Sequence, residues 1–319
     1  MNEIEVKVVR KTCEALDINA FELVALGEGT LPAYEAGAHV DVHMPGGLVR
    51  QYSLCAGPAQ QGLSRYRIAV LRDPKTRGGS QAMHDAVSEG DTLRIGAPRN
   101  LFPLVAGEQP SVLLAGGIGV TPLLAMAYQL HAAGRAFTLH YFARSRSRVA
   151  FLAELMQGPF VSQVVLHLDD EGTPGDTPVH EVLSSLPATA HVYTCGPAGF
   201  LQHVLNTAAA VAWRDEQLHY ESFAPAQQQA GSSFEVRIHS TGETVTVGAD
   251  ETVVAAVARL GIEIPVSCEQ GICGTCITRV LAGEIDHHDQ YFNEAEHAAQ
   301  DQFTPCCSRA KSAVLVLEL

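Results

Sequence analysis

The chain has 319 residues, of which 46% are apolar, and its formal net charge at pH 7 is −14. This length predicts more than one domain, and the acidic balance argues against a nucleic-acid-binding protein, which would favour basic patches. No apolar run reaches the roughly 18 to 20 residues that a membrane span needs, and the first residues lack the apolar segment of a secretory signal. We therefore expect a cytoplasmic protein that binds neither a membrane nor nucleic acid.

The first hundred residues predict an all-β domain. Apolar and polar residues partly alternate in several short segments, which are separated by Gly, Pro and Asp. These segments are IEVKVVRK, FELVALGEG, AHVDVHMPG, RYRIAVLRD and DTLRIGAP. Short strands at this spacing are typical of an antiparallel barrel or sandwich.

From about Pro110 the pattern changes to strands that alternate with helices. SVLLAGG is typical of a buried strand, and TPLLAMAYQLHAAG is typical of a helix with Thr121 as N-cap and Pro122 as first helical residue. Further strands and helices alternate up to QLHYESF, which ends at Phe223. This alternation predicts a doubly wound parallel sheet with helices on both faces.

A third region follows a predicted linker, APAQQQAGSS at residues 224–233, which has no periodicity. It contains a hairpin, a short helix and a final strand around a cysteine-rich loop. Residues 231–319 hold 13 acidic and 5 basic residues, so this charge serves solubility or attracts a basic protein partner. We expect an antiparallel β-barrel at 1–103, an α/β doubly wound domain at 104–226 and a small α+β domain at 227–319.

The cysteine-rich loop is the most specific motif. Its spacing is C-x4-C-x2-C, formed by Cys268, Cys273 and Cys276, and Cys306 and Cys307 follow later in the chain. Structural zinc usually takes two separated pairs of ligands, whereas one such loop plus one distant cysteine is the plant-type [2Fe-2S] pattern. Zinc and free thiols are the alternatives. Either Cys306 or Cys307 could supply the fourth thiolate. The nearby IDHHDQ segment at 285–290 is expected to be a solvated turn.

Two glycine-containing turns suggest sites for phosphate groups. RGGS, residues 77–80, precedes a helix pattern and is either an anion site or a plain turn. LLAGGIGVTP, residues 113–122, follows a strand, and its glycines would admit a pyrophosphate. YTCGP, residues 193–197, ends a later strand. Because ligands of open parallel sheets bind at the carboxyl ends of strands, we expect the last two turns to lie together.

The order of these motifs resembles that of the phthalate dioxygenase reductase family, within the ferredoxin–NADP reductase superfamily. Arg50-x-Tyr52-Ser53, RGGS, AGGIGVTP, YTCGP, ESF and the cysteine loop occur in one order along essentially the whole chain. The resemblance implies a flavin domain, then a nicotinamide domain, then a plant-type ferredoxin domain with the β-grasp fold. It also implies FMN, NADH and a [2Fe-2S] cluster as cofactors.

The resemblance further implies a site for each cofactor. The implied flavin-binding residues are Arg50, Gln51, Tyr52, Ser53, Ala69, Val70, Leu71, Arg77, Gly78, Gly79, Ser80 and Phe223. The implied nucleotide-binding residues are Gly116, Gly117, Thr121, Cys195, Gly196 and Pro197. Ser53, Thr121 and Cys195 are the expected catalytic residues. The implied cluster ligands are Cys268, Cys273, Cys276 and Cys306, since the family's fourth ligand stands before x-S-R-A.

The nucleotide could be NADH or NADPH. Arg144, Arg146 and Arg148, after the second strand of the parallel sheet, could accept a 2′-phosphate, or they could form a solvated loop. The acidic run at residues 169–171 could oppose that phosphate. Because the family that the chain resembles uses NADH, we expect NADH, with Arg144 as a further nucleotide-binding residue.

The expected activity is electron transfer. The resemblance implies a monomeric reductase that passes electrons from NADH through FMN and the cluster to a terminal, Rieske-type aromatic-ring oxygenase, such as one acting on phthalate or another aromatic acid. One alternative is a reductase for an O-demethylase or another monooxygenase. A second is a redox-sensing flavo-iron-sulfur protein. The chain shows no C-x-H motif with a partnering C-x-x-H, so it carries no Rieske centre itself.

Overall fold

The computed structural model describes residues 3–27, 29–45, 47–57, 64–74, 78–171, 176–223, 231–266, 269, 271, 274–289 and 291–319, with only the backbone at 176–178. The chain divides into two compact units, Met1–Phe223 and Ala224–Leu319. The first contains an antiparallel and a parallel sheet, and the second contains a mixed sheet.

The antiparallel sheet comes first in the chain and is nearly closed. Its elements are β1 (Ile4–Ala15), β2 (Ile18–Ala25), β3 (Ala38–His43), β4 (Val49–Ser53), β5 (Tyr66–Leu71), α1 (Gly79–Asp85), β6 (Thr92–Ile95) and β7 (Arg99–Asn100). The strand order is β4-β3-β6-β1-β2-β5, and β7 pairs with β3. A bridge between Leu54 and Ile68 joins the end of β4 to β5. Alternate residues such as Val40 and Phe21 fill the interior, and Met83 of α1 packs among them.

The parallel sheet has the doubly wound order. Its elements are β8 (Ser111–Gly116), α2 (Val120–Ala132), β9 (Phe137–Ala143), α3 (Leu152–Gln157), β10 (Val164–Leu168), α4 (Asp176–Ser185), β11 (His191–Gly196), α5 (Ala198–Ala210) and β12 (Leu218–Ser222). The strands run β10-β9-β8-β11-β12, and all pairs are parallel. One hydrophobic cluster packs the sheet against α2 and α3, and another packs it against α4 and α5.

The predicted N-cap of α2 is wrong. The chain already turns at Gly117–Gly119, a 3₁₀ segment, so α2 begins at Val120 with Gly119 at the N-cap position. Thr121 lies inside the first turn, and its hydroxyl donates to the Ile118 carbonyl oxygen at 3.0 Å. Because the 3₁₀ turn leads directly into the helix, no side-chain cap is needed there.

The second unit has a mixed sheet. Its elements are β13 (Phe234–Ile238), β14 (Thr244–Val247), α6 (Val253–Ala258), β15 (Thr278–Ala282), β16 (Ile285–Asp286), α7 (Glu294–Ala299), β17 (Gln302–Phe303), β18 (Arg309–Ala310) and β19 (Val314–Leu317). The order is β14-β13-β19-β15-β17, with β13 and β19 parallel, and β16 pairs with β18. Thr252 caps α6, whose apolar side packs in the core beside Phe234 and Leu315.

The three predicted fold types are therefore confirmed. The predicted domain boundaries at 103 and 226 stay predictions, and most of the predicted linker, residues 224–230, lies outside the described residues. Among the helices of the described part, none has the length and apolar character needed to cross a membrane.

Candidate functional site

Two glycine-containing turns meet at the carboxyl edge of the parallel sheet, one after β8 and one after β11. A Cβ at Gly119 would lie 2.2 Å from the Cys195 carbonyl oxygen, and a Cβ at Gly196 would lie 2.9 Å from the Cα of Gly116. These distances are far below van der Waals contact, so only glycine permits this approach. The structure thus brings the AGGIGVTP and YTCGP turns together, as the sequence predicted.

The outer side of the first turn is open. Gly117 has a left-handed φ of 54°, and a Cβ added there would meet nothing within 4 Å. The turn leads into α2, whose first N–H groups and helix dipole attract negative charge. A pyrophosphate could therefore approach the backbone here. Thr121 is buried behind this surface, and Pro197 is the N-cap residue of α5 on the second turn.

A thiol and a carboxyl group lie side by side beneath these turns. Cys195 of β11 pairs in register with Glu221 of β12. Cys195 is fully buried, and this burial, with the Glu221 charge as a smaller cause, holds the pKa of its thiol well above the ordinary value. Burial also raises the pKa of Glu221 to about 8, and its Oε2 has no hydrogen-bond partner among the described residues. At neutral pH both groups are protonated.

Arg50 lies across the start of α1. A Cβ at Gly79 would lie 2.6 Å from Cγ of Arg50, so the arginine stem occupies the space that another residue would fill. Gly78, the N-cap residue, has a left-handed φ of 93°. Ser80 Oγ accepts a hydrogen bond from the Asp73 N–H at 3.2 Å. The structure therefore brings Arg50 to Gly78, Gly79 and Ser80, whereas Arg77 lies outside the described residues.

The remaining flavin-binding candidates of β4 and β5 lie along the seam between these two strands. Ser53 is buried at the end of β4, and Gln51 donates from Nε2 to Asp41 Oδ1 at 3.1 Å. Burial raises the pKa of the Tyr52 phenol. Ala69 and Val70 are buried and Leu71 is partly exposed in β5, while Phe223 is 39% exposed just after β12. The bridge at the seam brings the β4 and β5 candidates together.

His39 is a buried residue beside this seam that the sequence did not single out. It pairs in register with Ser53, and its Nε2 has no hydrogen-bond partner among the described residues. Burial, with the charge of Arg99 as a second cause, lowers the pKa of His39 to about 4. A neutral imidazole with an unpaired nitrogen suits a polar ligand at this position.

Two of the three arginines in the loop after β9 form ion pairs with acidic residues of this chain. Arg146 Nε lies 3.2 Å from Glu171, and Arg148 lies 3.5 Å from Asp17 in the barrel. The side chain of Arg144 is exposed, and its carbonyl oxygen accepts from the Asp170 N–H at 3.3 Å. The acidic 3₁₀ turn Asp169–Glu171 therefore lies against this loop. Its negative charges disfavour the 2′-phosphate of NADPH at this position.

In the second unit, two predicted cluster ligands lie together. Cys276 and Cys306 are 3% and 5% exposed, and their thiols are within hydrogen-bonding reach. This hydrogen bond is the main cause that raises the pKa of Cys306 to about 12, while hydrogen bonds with the Cys307 thiol and, less strongly, the Gly271 N–H oppose the rise. Cys268 and Cys273 lie outside the described residues. A buried pair of thiols beside loop N–H groups fits half of an iron–sulfur site.

The Cys307 thiol lies within hydrogen-bonding reach of the Cys306 thiol. Its Sγ lies 3.2 Å from Thr304 Oγ1 and 3.8 Å from Ser308 Oγ. A Cβ at Gly271 would lie 2.5 Å from this sulfur, so Cys307 fills the space behind the ligand loop. Both sulfurs therefore lie at the ligand loop, and Cys306 as the fourth ligand stays a prediction of the family resemblance.

The loop conformation depends on glycine at two positions. Gly271 and Gly274 have left-handed φ values of 72° and 71°. A Cβ at Gly274 would lie 2.3 Å from the ring of Tyr291, which is 46% exposed. Both positions therefore combine a backbone shape and a close contact that other residues would disturb.

The predicted solvated turn at 285–290 is partly wrong, because Asp289 is buried. Its carboxylate accepts from the N–H groups of Tyr291 and Phe292 at 3.2 and 3.0 Å and from Ser308 Oγ at 3.3 Å. It also pairs with His287 and His297 at 3.1 and 3.2 Å. Burial opposes its charge, but these hydrogen bonds outweigh burial and lower the pKa of Asp289. The carboxylate thus ties the segment before α7 to the strand that follows Cys306.

The comparisons with known proteins cover the whole chain. The 2Fe-2S iron-sulfur cluster binding domain family matches residues 236–311. The vanillate O-demethylase oxidoreductase of Pseudomonas sp. (strain HR199 / DSM 7063) is 51% identical over 318 residues, which are 99% of this chain and 100% of the relative. The protein of the same name from Pseudomonas putida is 49% identical over 319 residues, again 99% and 100%.

A solved structure agrees with these sequence matches. Phthalate dioxygenase reductase, described as a modular structure for electron transfer from pyridine nucleotides to [2Fe-2S], is 38% identical with a TM-score of 0.74, covering 100% of this chain and 98% of that chain. The chain belongs to the phthalate dioxygenase reductase family. As a member of this family it is an NAD(P)H-dependent oxidoreductase that contains a flavin and a [2Fe-2S] cluster. The resemblance seen in the sequence is thus confirmed.

Sequence reasoning missed several residues that lie at these candidate sites. Glu221 stands in the ESF motif, but only the sheet register shows that it lies beside Cys195. His39 stands in an ordinary strand pattern, and only pairing with β4 brings it to Ser53. Asp289 was visible as part of a polar run, yet no periodicity marks it as buried.

Proposed function

We propose that the protein passes electrons from NADH through FMN and its [2Fe-2S] cluster to a Rieske-type oxygenase that O-demethylates a methoxylated aromatic acid such as vanillate. The single observation that carries the substrate class is identity of 51% with a vanillate O-demethylase oxidoreductase over the full length of both chains. Phthalate dioxygenase reductase matches equally fully but at 38% identity. The comparisons therefore favour the O-demethylase alternative over a ring dioxygenase.

Residues of β4, β5 and α1 would hold the flavin. A flavin supplies the means to accept a hydride and to release its two electrons singly. Arg50, Arg77, Gly78, Gly79 and Ser80 would bind the phosphate, and the packing of Arg50 on Gly79 supports this grouping. A phosphate-sized anion site at this helix suits FMN, which ends at one phosphate.

The other flavin contacts would fall along the seam. Ser53, Tyr52, Gln51 and the 69–71 segment would line the flavin ring, and Phe223 would cover one of its faces. The unpaired Nε2 of His39, beside Ser53, supports a polar ligand here.

The paired glycine turns would hold the nicotinamide nucleotide. Gly116 and Gly117 would face the pyrophosphate and the nicotinamide ring, with Thr121, Gly196 and Pro197 shaping the site from behind. NADH is favoured over NADPH because Glu171 engages Arg146 and Asp17 engages Arg148. Of the three arginines in this loop, Arg144 would therefore remain to contact the adenosine end of the nucleotide.

Cys195 and Glu221 would keep the floor of the nucleotide site uncharged. Both groups have raised pKa values, so they hold their protons at neutral pH. A neutral floor avoids placing an unpaired charge in a poorly solvated position beneath the nicotinamide. Cys195 and Thr121 would thus orient the ring without reacting with it.

In the second unit, Cys268, Cys273, Cys276 and Cys306 would hold the cluster. The contact between Cys276 and Cys306 supports this set. The surface near the cluster loop suits a basic acceptor, since residues 280–308 contain no Lys or Arg and five of their six acidic residues, all but the buried Asp289, are exposed or partly exposed. An oxygenase with a basic docking face would be attracted to this surface.

The proposal is tested by mixing the purified protein with NADH and the oxygenase component of a vanillate O-demethylase. Vanillate should be consumed with release of formaldehyde, and the oxygenase of a phthalate dioxygenase should be served much more slowly. Faster turnover of phthalate would support the ring-dioxygenase interpretation. If NADH failed to drive ferricyanide reduction at all, the result would favour the redox-sensing interpretation over a reductase.

A further inference from the structure

A partly buried ion pair joins the antiparallel sheet to the helices of the parallel sheet. Arg67 of β5 donates from Nη1 to Glu154 Oε2 at 2.7 Å and from Nη2 to Glu154 Oε1 at 2.8 Å. Glu154 belongs to α3, and the two side chains are 19% and 22% exposed. Two parallel hydrogen bonds between a guanidinium and a carboxylate fix direction as well as distance.

Further groups complete this contact. Tyr128 of α2 donates from its hydroxyl to Glu154 Oε1 at 2.5 Å, and Arg67 also donates to the Cys55 carbonyl oxygen at 2.8 Å. The guanidinium carbon lies 4.7 Å from the ring centre of Phe151. We call Arg67, Glu154 and Tyr128 the clamp. Burial and the hydrogen bond to Glu154 raise the pKa of Tyr128, so its hydroxyl remains a donor.

The backbone next to the clamp is held in an unusual shape. Phe151 has a left-handed φ of 59°, which is rare for an aromatic residue and costs on the order of 1 kcal/mol or more. This conformation brings its ring under Arg67 and starts α3 with Glu154 in its first turn. Strain of this kind persists only where surrounding contacts hold it, which indicates that the position of Glu154 matters.

Each arm of the clamp leads to one half of the redox site. On the barrel side, Arg67 holds the carbonyl of Cys55, two residues after Ser53. On the other side, Tyr128 lies in α2, the helix that begins directly behind the open turn at Gly117. The clamp therefore connects the seam where a flavin would lie to the helix that carries the nucleotide turn.

We propose that Arg67, Glu154 and Tyr128 are positioning residues that set the distance between the bound flavin and the nicotinamide. This inference rests on the proposed function only for the step between NADH and the flavin. In that step the nicotinamide would give a hydride, one hydrogen with two electrons, to the flavin and so become NAD⁺. The clamp residues form and break no bond. A displacement of about 1 Å can slow such a step roughly 100-fold.

Neighbouring residues offer a matched control. A cavity of about 190 Å³ is lined by clamp residues and by Glu22 and Arg65. Glu22 pairs with Arg65 and Arg10, all within the barrel, so this ion pair does not reach the parallel sheet. Glu22 pairs in register with Arg67, but its carboxylate binds Arg65 and Arg10, so Glu22→Gln removes a carboxylate at the same cavity and keeps the Arg67–Glu154–Tyr128 hydrogen bonds.

The test measures the rate of flavin reduction by NADH in stopped flow for Glu154→Gln, Tyr128→Phe and Glu22→Gln. Glu154→Gln should slow reduction at saturating NADH by about 10 to 100-fold, and Tyr128→Phe by a smaller factor, with NAD⁺ affinity within about threefold of wild type. Hydrogen exchange should also rise in 54–57 and 120–128 for the clamp variants alone. Glu22→Gln should change neither quantity.

Two results would contradict the positioning role of the clamp. Opening of these segments in Glu154→Gln without any change in the saturated rate would overturn the proposal, and so would an equal loss in Glu22→Gln. If Glu154→Gln fails to fold, Tyr128→Phe decides, because it removes one hydroxyl only. If NADH does not reduce the flavin of the wild-type protein, the proposed function itself fails.

Discussion

The carbonyl oxygen of Cys195 lies so close to Gly119 that a Cβ at position 119 would stand 2.2 Å from it. Because β8 and β11 are neighbours in the parallel sheet, this contact locks the two turns at their carboxyl ends into one surface. The shape of the proposed nucleotide site therefore depends on a glycine that need not contact the nucleotide.

Gly119→Ala should separate these turns. The added methyl group meets backbone atoms, which cannot rotate away, so we expect destabilisation of about 1 to 3 kcal/mol and at least about tenfold weaker binding of NAD⁺. Calorimetric titration with NAD⁺ and thermal unfolding measure both effects. Gly199→Ala is the control, since a Cβ there meets nothing within 4 Å. Unchanged NAD⁺ binding in Gly119→Ala would show that the contact does not shape the site.

The fourth cluster ligand is tested by two single substitutions. Cys306→Ser should lose the cluster or destabilise it strongly, because its sulfur lies with that of Cys276. Cys307→Ser should retain the cluster, because Cys306 and not Cys307 stands at the family's ligand position before x-S-R-A. Iron content, visible absorbance and EPR after reduction report both results. Retention in the first variant with loss in the second would reverse the assignment.

Glu221 should give stability a defined pH dependence. Its pKa is about 8 in the folded protein, against about 4.3 for an unfolded glutamate. The folded protein therefore keeps a proton that the unfolded chain releases, and the stability that depends on this proton is complete below about pH 4 and is lost as the pH rises through about 8. Glu221→Gln, which stays neutral, should flatten this fall and be more stable than wild type above about pH 8.

Thermal unfolding followed by flavin fluorescence, at about pH 5.5 and pH 8.5, measures this difference. Glu216→Gln, at an exposed position before β12, serves as control and should keep the wild-type slope. A Glu221→Gln protein whose midpoint falls with pH as steeply as wild type would show that Glu221 is ionised in the folded state.

Cofactor preference should depend on Glu171. Its carboxylate pairs with Arg146, so Glu171→Gln should release that guanidinium for a 2′-phosphate. We expect KM for NADPH to fall several-fold while KM for NADH changes little. Steady-state ferricyanide reduction with each nucleotide gives both constants, and Asp170→Asn tests whether any loss of acidity has the same effect. A parallel change in both KM values would place Arg146 away from the adenosine end.

Much of this architecture could be predicted from local patterns. Strand alternation, the α/β rhythm and the cysteine spacing each depend on residues close in the chain, and the three fold types follow from them. The relation between the AGGIGVTP and YTCGP turns was also predictable, since parallel strands end at one edge.

What could not be predicted depends on distant pairing. Nothing near Glu154 in the sequence indicates that it meets Arg67, because their contact requires two sheets to be placed first. Asp289 was expected to be solvated because its neighbours in the sequence are polar. In the structure it is buried, and five groups from positions 287 to 308 donate hydrogen bonds to its carboxylate. Thr121 looked like an N-cap because a glycine-led 3₁₀ turn before a helix leaves no side-chain signature.

Electron delivery to the partner can be followed by the visible absorbance of the Rieske centre in a vanillate O-demethylase oxygenase. The oxygenase is mixed without oxygen with excess NADH and a catalytic amount of this reductase, and with Cys306→Ser in a parallel sample. We predict complete bleaching of the Rieske centre with the wild-type protein and none with Cys306→Ser, although the flavin of both is reduced. A Rieske centre that stays oxidised beside a fully reduced wild-type reductase would contradict the proposed function.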